Sequence, residues 1–150
     1  MKNISEAYDK IEYILNELMI PYRKLGDSYF FKVHLDSSRN SVTCKLMIEG
    51  KNIRIKTRLN KNYIHYEEEV EIFIVLVSRY WSFPLNCNSE SDKLEGQFVI
   101  RTEEADNPYW DLLMMILNII GKYKLLCVGL NEILTGEKNG LEAYLYATKQ

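Results

Sequence analysis

The sequence predicts an α+β protein in which helices pack on one face of an antiparallel sheet. Three observations support this fold class. Segments in the first half alternate apolar and polar residues with the period of a strand. Other segments repeat apolar residues with the period of a helix, and a long apolar segment in the last third carries helix-capping residues. The expected order of elements is α-β-β-β-α-β-β-α.

Length and composition favour one folded domain. The chain has 150 residues, of which 47% are hydrophobic and 27% charged, the balance of an ordinary globular protein. We expect a single domain over 1–150, with a loosely packed tail after about residue 136. The net charge of −2 gives no general attraction to nucleic acid or anionic membrane, so any such attraction must come from a local patch.

The expected location is the cytoplasm, without a membrane. The first residues form an amphipathic, slightly acidic segment that is unlike a signal peptide. The most apolar run, Leu112–Ile120, is too short to span a bilayer, and Lys122 and Lys124 follow it.

The chain begins with a helix near Ser5–Met19, which Pro21 ends. Apolar residues recur in it at helical spacing: Ile11, Ile14, Leu15 and Leu18. A strand follows at Tyr29–Leu35, where apolar and polar residues alternate, and the segment 36–41 is a loop rich in turn-forming residues.

The stretch Ser41–Leu59 predicts a hairpin with a defined register. If Gly50 and Lys51 are the central residues of a type II′ turn, every inward pair is apolar or nearly so. The predicted pairs are Ile48–Ile53, Leu46–Ile55, Cys44–Thr57 and Val42–Leu59. A slip of one residue would place Ile48 opposite Arg54, which the pattern excludes.

The outer face of this sheet is predicted to be basic. Pairing Tyr29–Leu35 in the analogous register places Val33 beside Cys44 and Phe31 beside Leu46. The outer rows then read Phe30–Met47–Arg54, Lys32–Lys45–Lys56 and His34–Thr43–Arg58. Acidic residues do not interrupt these rows, since Glu49 lies only at the turn. The candidate binding residues are Phe30, Lys32, His34, Lys45, Arg54, Lys56 and Arg58.

The segment 66–81 fits either a strand, because of its β-branched run, or a helix. The helical interpretation is favoured, because apolar residues form one stripe and glutamates occupy the first turns. That stripe contains Val70, Phe73, Ile74, Val77 and Trp81. After Pro84, two short strands are expected at Leu85–Asn88 and Leu94–Thr102, joined by the polar turn SESDK.

The last predicted helix is capped by Asn107, starts with Pro108 and runs to about Thr135, with Gly136 just after its end. Its polar stripe is narrow, so it must be covered on more than one side. Either it lies centrally in the domain or a second subunit shares it.

Residues that could carry catalysis are sparse. The histidines are His34 and His65, and the three cysteines are far apart and form no metal-binding pair. We expect the thiols to be buried in a reducing compartment. Glu67–Glu69 lack the alternating spacing of a calcium loop and suit a helix start. The sequence therefore predicts a non-enzymatic protein without catalytic residues, metal or cofactor.

Three interpretations of the basic face remain open. It is a solvated surface balanced by nearby acids, a site for an acidic protein segment or a second subunit, or a platform for single-stranded nucleic acid with Phe30 stacking on a base. We expect a protein-binding module that acts as a homodimer. The alternative is a nucleic-acid-binding module that uses the same face.

The order of elements, the hairpin SVTCKLMIEGKNIRIKTRL, the segments EEEVEIFIVLVSRYW and LEGQFVIRT, and the final NPYWDLLMMILNII resemble two groups of similar fold. These are the YbjN-like bacterial proteins and the type III secretion chaperones. The resemblance implies a small dimeric cytoplasmic protein that binds another protein as a chaperone or regulator. It implies no catalytic residues.

Overall fold

The computed structural model describes residues 4–35, 40–61, 66–88, 93–103 and 107–150. Within these ranges the chain forms four helices and one six-stranded antiparallel sheet with the strand order β1-β2-β3-β4-β6-β5. The α+β class is confirmed. In chain order the elements are α1 Ile4–Glu17, β1 Tyr22–Leu25, β2 Ser28–His34, β3 Ser41–Glu49, β4 Asn52–Leu59, α2 Glu67–Tyr80, β5 Leu85–Asn88, β6 Lys93–Arg101, α3 Pro108–Leu134 and α4 Gly140–Thr148.

The helical interpretation of 66–81 is confirmed, because α2 occupies most of this segment. Its predicted stripe faces the core, where Val70, Phe73, Ile74 and Val77 are buried. Since β-branched residues in this helix bury one face against the rest of the protein, packing outweighs their intrinsic preference for strands.

The sequence did not predict strand β1, which adds an edge to the sheet. Leu25 pairs with Ser28, so only Gly26 and Asp27 connect β1 to β2, and Gly26 has a φ of 60°. A glycine adopts this left-handed conformation without steric cost. The Gly-Asp pair between two short segments is therefore the signal that identifies this hairpin.

The tail, which we expected to be loosely packed, contains α4. Asn139 caps this helix, and its side chain and that of Glu142 exchange hydrogen bonds with the backbone as a capping box. Ala143 and Ala147 are fully buried. Small side chains on one face let this short helix approach its neighbours α2 and α3 closely.

The β3–β4 register is confirmed at every predicted pair, from Ile48–Ile53 to Val42–Leu59. Gly50 has a φ of 59° and Lys51 a negative one, as a type II′ turn requires.

The predicted β2–β3 register is wrong by two residues. Phe31 lies opposite Cys44, and Val33 lies opposite Val42. Strands β2 and β3 pair closer to their connecting loop than predicted. The amide of Leu35 donates a hydrogen bond to the carbonyl of Asn40 at 3.1 Å, and residues 36–39 between them lie outside the described residues. A shift of two keeps every side chain on its predicted face, so the apolar pattern could not distinguish the two registers.

Helix α3 covers the apolar inner face of the sheet. The hydroxyls of Thr57 on β4 and Tyr123 on α3 form a buried hydrogen bond of 2.7 Å. Helix α2 approaches α3 at Gly129, where an added Cβ would lie 2.3 Å from the Phe73 ring. The predicted ends of α3 are confirmed, with Asn107 as its cap and Pro108 in its first turn.

Helix α3 is much longer than the apolar run Leu112–Ile120, which the sequence analysis judged too short to span a bilayer. Its 27 residues, with a mean hydropathy of 1.6 over its most apolar window, have the length and composition to cross a membrane. A core helix of a soluble protein passes the same test, and one side of α3 packs against the sheet through buried residues such as Leu112, Ile116 and Tyr123.

Helix α1 is attached to the edge of the sheet through Glu12. Its carboxylate accepts hydrogen bonds from the hydroxyls of Tyr29 at 2.7 Å and Tyr22 at 3.1 Å. The ammonium of Lys24 lies 3.9 Å from the same carboxylate and 3.9 Å from the centre of the Tyr8 ring. Burial and the neighbouring carboxylate raise the pKa of Tyr29, so its hydroxyl remains a donor.

Candidate binding face on the outer side of the sheet

The face of the sheet that points away from the helices, called here the outer face, is formed by alternate residues of each strand. The structure places every predicted binding residue on it, from Phe30, Lys32 and His34 on β2 to Arg54, Lys56 and Arg58 on β4. Lysines and arginines outnumber glutamates on it. Its charged residues are Arg23, Lys32, Lys45, Arg54, Lys56, Arg58, Lys93 and Arg101, with Glu49 and Glu95.

The rows across the outer face differ from the predicted ones because of the shifted β2 register. The central row is Phe30–Lys45–Lys56. Lys32 instead lies in the row of Thr43 and Arg58, so the predicted row of three lysines does not exist. The lysine pair keeps its predicted place, and an aromatic side chain takes the third position.

Acidic residues do interrupt the outer face, which corrects the sequence prediction. Glu95 on β6 lies opposite Arg58, and its carboxylate is 3.2 Å from the Arg58 guanidinium. Glu49 lies 3.0 Å from Arg54 Nε. Arg54 and Arg58 are therefore largely neutralised within the protein. The alternation of β6 could have shown this, because Leu94 and Phe98 point inward and Glu95 must point outward.

Lys45 and Lys56 face each other in the two central strands. Among the described residues neither has an ion-pair partner. The Lys45 ammonium lies 5.6 Å from the centre of the Phe30 ring, a cation–π distance, and its stem is half-buried, whereas Lys56 is exposed. Like charges directly opposite across strands destabilise a sheet. Two positive charges without an ion-pair partner in the described part of the chain therefore lie side by side at the centre of the outer face.

The surface around this lysine pair is concave. One depression of about 360 Å³ is lined by Phe30, Lys45 and Lys56, together with Arg58. A second of about 440 Å³ lies beside it towards β5, and both are lined by Lys56 and Glu95. A chain that crosses the strands would therefore find two adjoining recesses with Lys56 between them.

No family model, curated protein or solved structure matches the chain. The resemblance to YbjN-like proteins and type III secretion chaperones therefore stays a prediction.

The groups on the outer face suit binding. Lysine ammonium groups donate hydrogen bonds to carboxylates or phosphates, and Phe30 offers an aromatic surface. His34, the histidine on this face, is exposed at the end of β2, and His65 lies outside the described residues.

The cysteine nearest to this face belongs to the core. Cys44 points inward from β3 and is buried, and burial raises the pKa of its thiol from 9.0 to about 12. A thiol that stays protonated at neutral pH is a poor nucleophile. None of the three cysteines, all of them described by the structure, is in a disulfide; Cys44 and Cys127 are buried and Cys87 is half-buried.

Proposed function

We propose that the protein is a non-enzymatic protein-binding module that takes an acidic, extended segment of another protein across its outer face. The observation that carries this proposal is the Lys45–Lys56 pair. Two lysines that have no ion-pair partner among the described residues lie directly opposite each other in the two central strands, and like charges placed in this way destabilise the sheet of the free protein. A carboxylate of a bound segment that lies between the two lysines would replace this repulsion by attraction, so the pair favours binding of an acidic segment.

The surrounding residues define the kind of segment that fits. The path from β2 to β5 crosses five strands about 4.8 Å apart, or roughly 19 Å, which an extended chain covers with about six residues. Glu95 and Glu49 flank the lysine pair and are already neutralised by Arg58 and Arg54. Lys45 and Lys56 are therefore the cations at the centre of this path that remain for the acidic residues of a bound segment. The fitting segment carries acidic residues at its centre and an apolar residue beside Phe30.

A chaperone-like or regulatory role in the cytoplasm agrees with this binding chemistry and with the resemblance to YbjN-like proteins and secretion chaperones. The resemblance implies a protein that binds another protein as a chaperone or regulator. We also propose that the protein acts as a homodimer, as the resemblance implies.

The test is binding of a fluorescent peptide with central glutamates and one phenylalanine, measured by anisotropy. Reversal of both lysines, Lys45→Glu with Lys56→Glu, should weaken binding at least about tenfold, since two exposed charge contacts become repulsive. The matched control reverses two lysines away from the outer face, Lys10 in α1 and Lys149 just after α4. This variant, Lys10→Glu with Lys149→Glu, should bind the peptide as the wild type does. Equal weakening in both variants would show only a net-charge effect and would overturn the proposal.

Nucleic acid is a second candidate, favoured by one observation. The corrected register places Phe30 in the same row as Lys45 and Lys56, where a base could stack on the ring while its phosphates meet the lysines. The same anisotropy assay with a single-stranded oligothymidine separates the candidates. Tight oligonucleotide binding that Lys45→Glu with Lys56→Glu abolishes, together with no peptide binding, would replace the protein-segment proposal by this one.

A further inference from the structure

The central row of the outer face continues beyond β2 to the edge strand β1. Arg23 lies opposite Phe30 in the β1–β2 pair. The whole row, called here the five-strand row, therefore reads Arg23–Phe30–Lys45–Lys56–Gln97 across β1, β2, β3, β4 and β6. An aromatic ring separates its first cation from the other two, so the row alternates in chemistry along its length.

The alternation of β1 directs Arg23 to the outer face. Its neighbours in the strand, Tyr22 and Lys24, point to the other side, where both contact Glu12 of α1. Arg23 itself is exposed, and within the described part of the chain it has no ion-pair partner. It is therefore a third cation of the row, beside the lysine pair, that remains for a ligand.

We propose that the five-strand row selects a segment with the pattern acidic–x–apolar–x–acidic, in which x is any residue. The first acid lies at Arg23, the apolar residue on Phe30 and the second acid between Lys45 and Lys56. This proposal rests on the proposed function, because it names the kind of segment that the outer face takes. It adds a cation on β1, outside the path from β2 to β5, and it specifies the spacing of the acids.

The spacing follows from the geometry of the sheet and of an extended segment. Neighbouring strands lie about 4.8 Å apart, so Phe30 is about 5 Å along the row from Arg23, and the midpoint of the lysine pair is about 12 Å along it. Every second side chain of an extended segment points to the sheet, and these side chains repeat about every 6.7 Å. With an acid at Arg23, the third and fifth side chains lie at about 7 and 13 Å, each within about 2 Å of its place in the row.

The middle position favours an apolar side chain. Phe30 is half-buried, and together with Lys45 and Lys56 it lines the depression of about 360 Å³. An apolar side chain that lies on the Phe30 ring removes apolar surface from water, whereas a carboxylate there would meet the negative face of the ring. Beyond Lys56 the row ends at the uncharged Gln97, so it offers no cation to a third acid.

The deciding experiment compares two end-blocked fluorescent peptides of equal composition by anisotropy, Asp-Ser-Phe-Ser-Asp and Phe-Ser-Asp-Ser-Asp. The wild-type protein should bind the first about three- to fivefold more tightly, the effect of one exposed charge pair. The second peptide, with its phenylalanine on Phe30, places one acid between the lysines and the other at Gln97. It therefore leaves Arg23 without a partner.

A charge exchange tests whether Arg23 recognises the first acid. Arg23→Glu should weaken binding of Asp-Ser-Phe-Ser-Asp about fivefold and should prefer Lys-Ser-Phe-Ser-Asp to it. The matched control is Lys124→Glu, at an exposed position of α3 on the helical side, which makes the same change in net charge. It should keep the preference of the wild type. A preference that reverses only in Arg23→Glu has no explanation in net charge or in loss of folding.

The outcomes separate this proposal from the proposed function. Suppose that Lys45→Glu with Lys56→Glu weakens binding of both peptides, while the wild type binds them equally and Arg23→Glu changes neither affinity. The pattern would then be wrong, although the protein-segment site would stand. A preference for the first peptide that persists in Arg23→Glu would also overturn the pattern, because another group would bind the first acid.

Two results would overturn both proposals. One is that neither peptide binds the wild-type protein. The other is that the protein binds oligothymidine but no peptide, with Arg23→Glu weakening the oligonucleotide complex, which would assign the five-strand row to nucleic acid.

Discussion

Replacing Lys56 by glutamate should make the free protein more stable, although it removes a residue of the proposed binding site. Lys56 lies directly opposite Lys45 in the neighbouring central strand and between Arg54 and Arg58 in its own strand. The side chain is exposed and has no ion-pair partner among the described residues. A glutamate here would therefore lose no existing partner and would gain an ammonium group across the strand.

The magnitude follows from the cross-strand geometry. An opposite-charge pair contributes about 0.2–1 kcal/mol, and a directly opposed like-charge pair costs a similar amount. Lys56→Glu exchanges one for the other, so the free energy of unfolding should rise by about 1 kcal/mol. Lys56→Gln, which only removes the repulsion, should give about half of this. Lys45→Glu with Lys56→Glu restores a like-charge pair and should return close to the wild-type value.

Urea unfolding followed by circular dichroism measures these differences. Since urea m-values are about 1–3 kcal/mol per molar, a difference of about 1 kcal/mol moves the unfolding midpoint by about 0.3–1 M, which is well resolved. The differences in the free energy of unfolding among these variants should largely disappear in about 1 M salt, because the Debye length is then only about 3 Å. If Lys56→Gln is no more stable than the wild type at low salt, the two lysines do not repel each other, and no ligand is needed to explain the pair.

Two further predictions concern the core. Thr57→Val leaves the buried Tyr123 hydroxyl without its partner and should cost about 1–3 kcal/mol in urea unfolding. Adding Tyr123→Phe should recover much of that loss, and a double variant that is fully additive would contradict the coupling. Because burial raises the pKa of the Cys44 thiol from 9.0 to about 12, the folded state keeps a proton that the unfolded chain releases. Stability is therefore complete below pH 9 and is lost as the pH rises towards 12, by about 1 kcal/mol between pH 9 and 10. Cys44→Ala should remove this part of the pH dependence, and an unchanged slope would show that another group causes it.

Local chemistry determined much of the fold. The Gly50-Lys51 turn and the apolar alternation on both sides allow one β3–β4 register, because a slip of one residue would bury Arg54. Asn107 and Pro108 define the start of α3, and Gly136 defines its end. These signals act over a few residues, so no knowledge of distant parts of the chain is needed to interpret them.

The candidate site was only partly predictable. The face of each basic residue followed from strand alternation, since a side chain points to one side or the other whatever its partner. Which residues share a row did not follow, because a shift of two between β2 and β3 leaves every face unchanged. The neutralising Glu95 comes from β6, far along the chain, and becomes a neighbour of Arg58 only because β6 pairs with β4.

The sequence by itself therefore determined the fold class, the central hairpin and the presence of a basic face, because periodicity and turn geometry are local properties. Only the tertiary structure decided where on that face the charge is uncompensated and which side of α3 is left uncovered. Both depend on which distant strands and helices become neighbours. Strand pairing gives Arg58 an acidic partner and leaves Lys45 and Lys56 without an ion pair among the described residues. Helix packing buries one side of α3, while the side with Gly121 stays exposed.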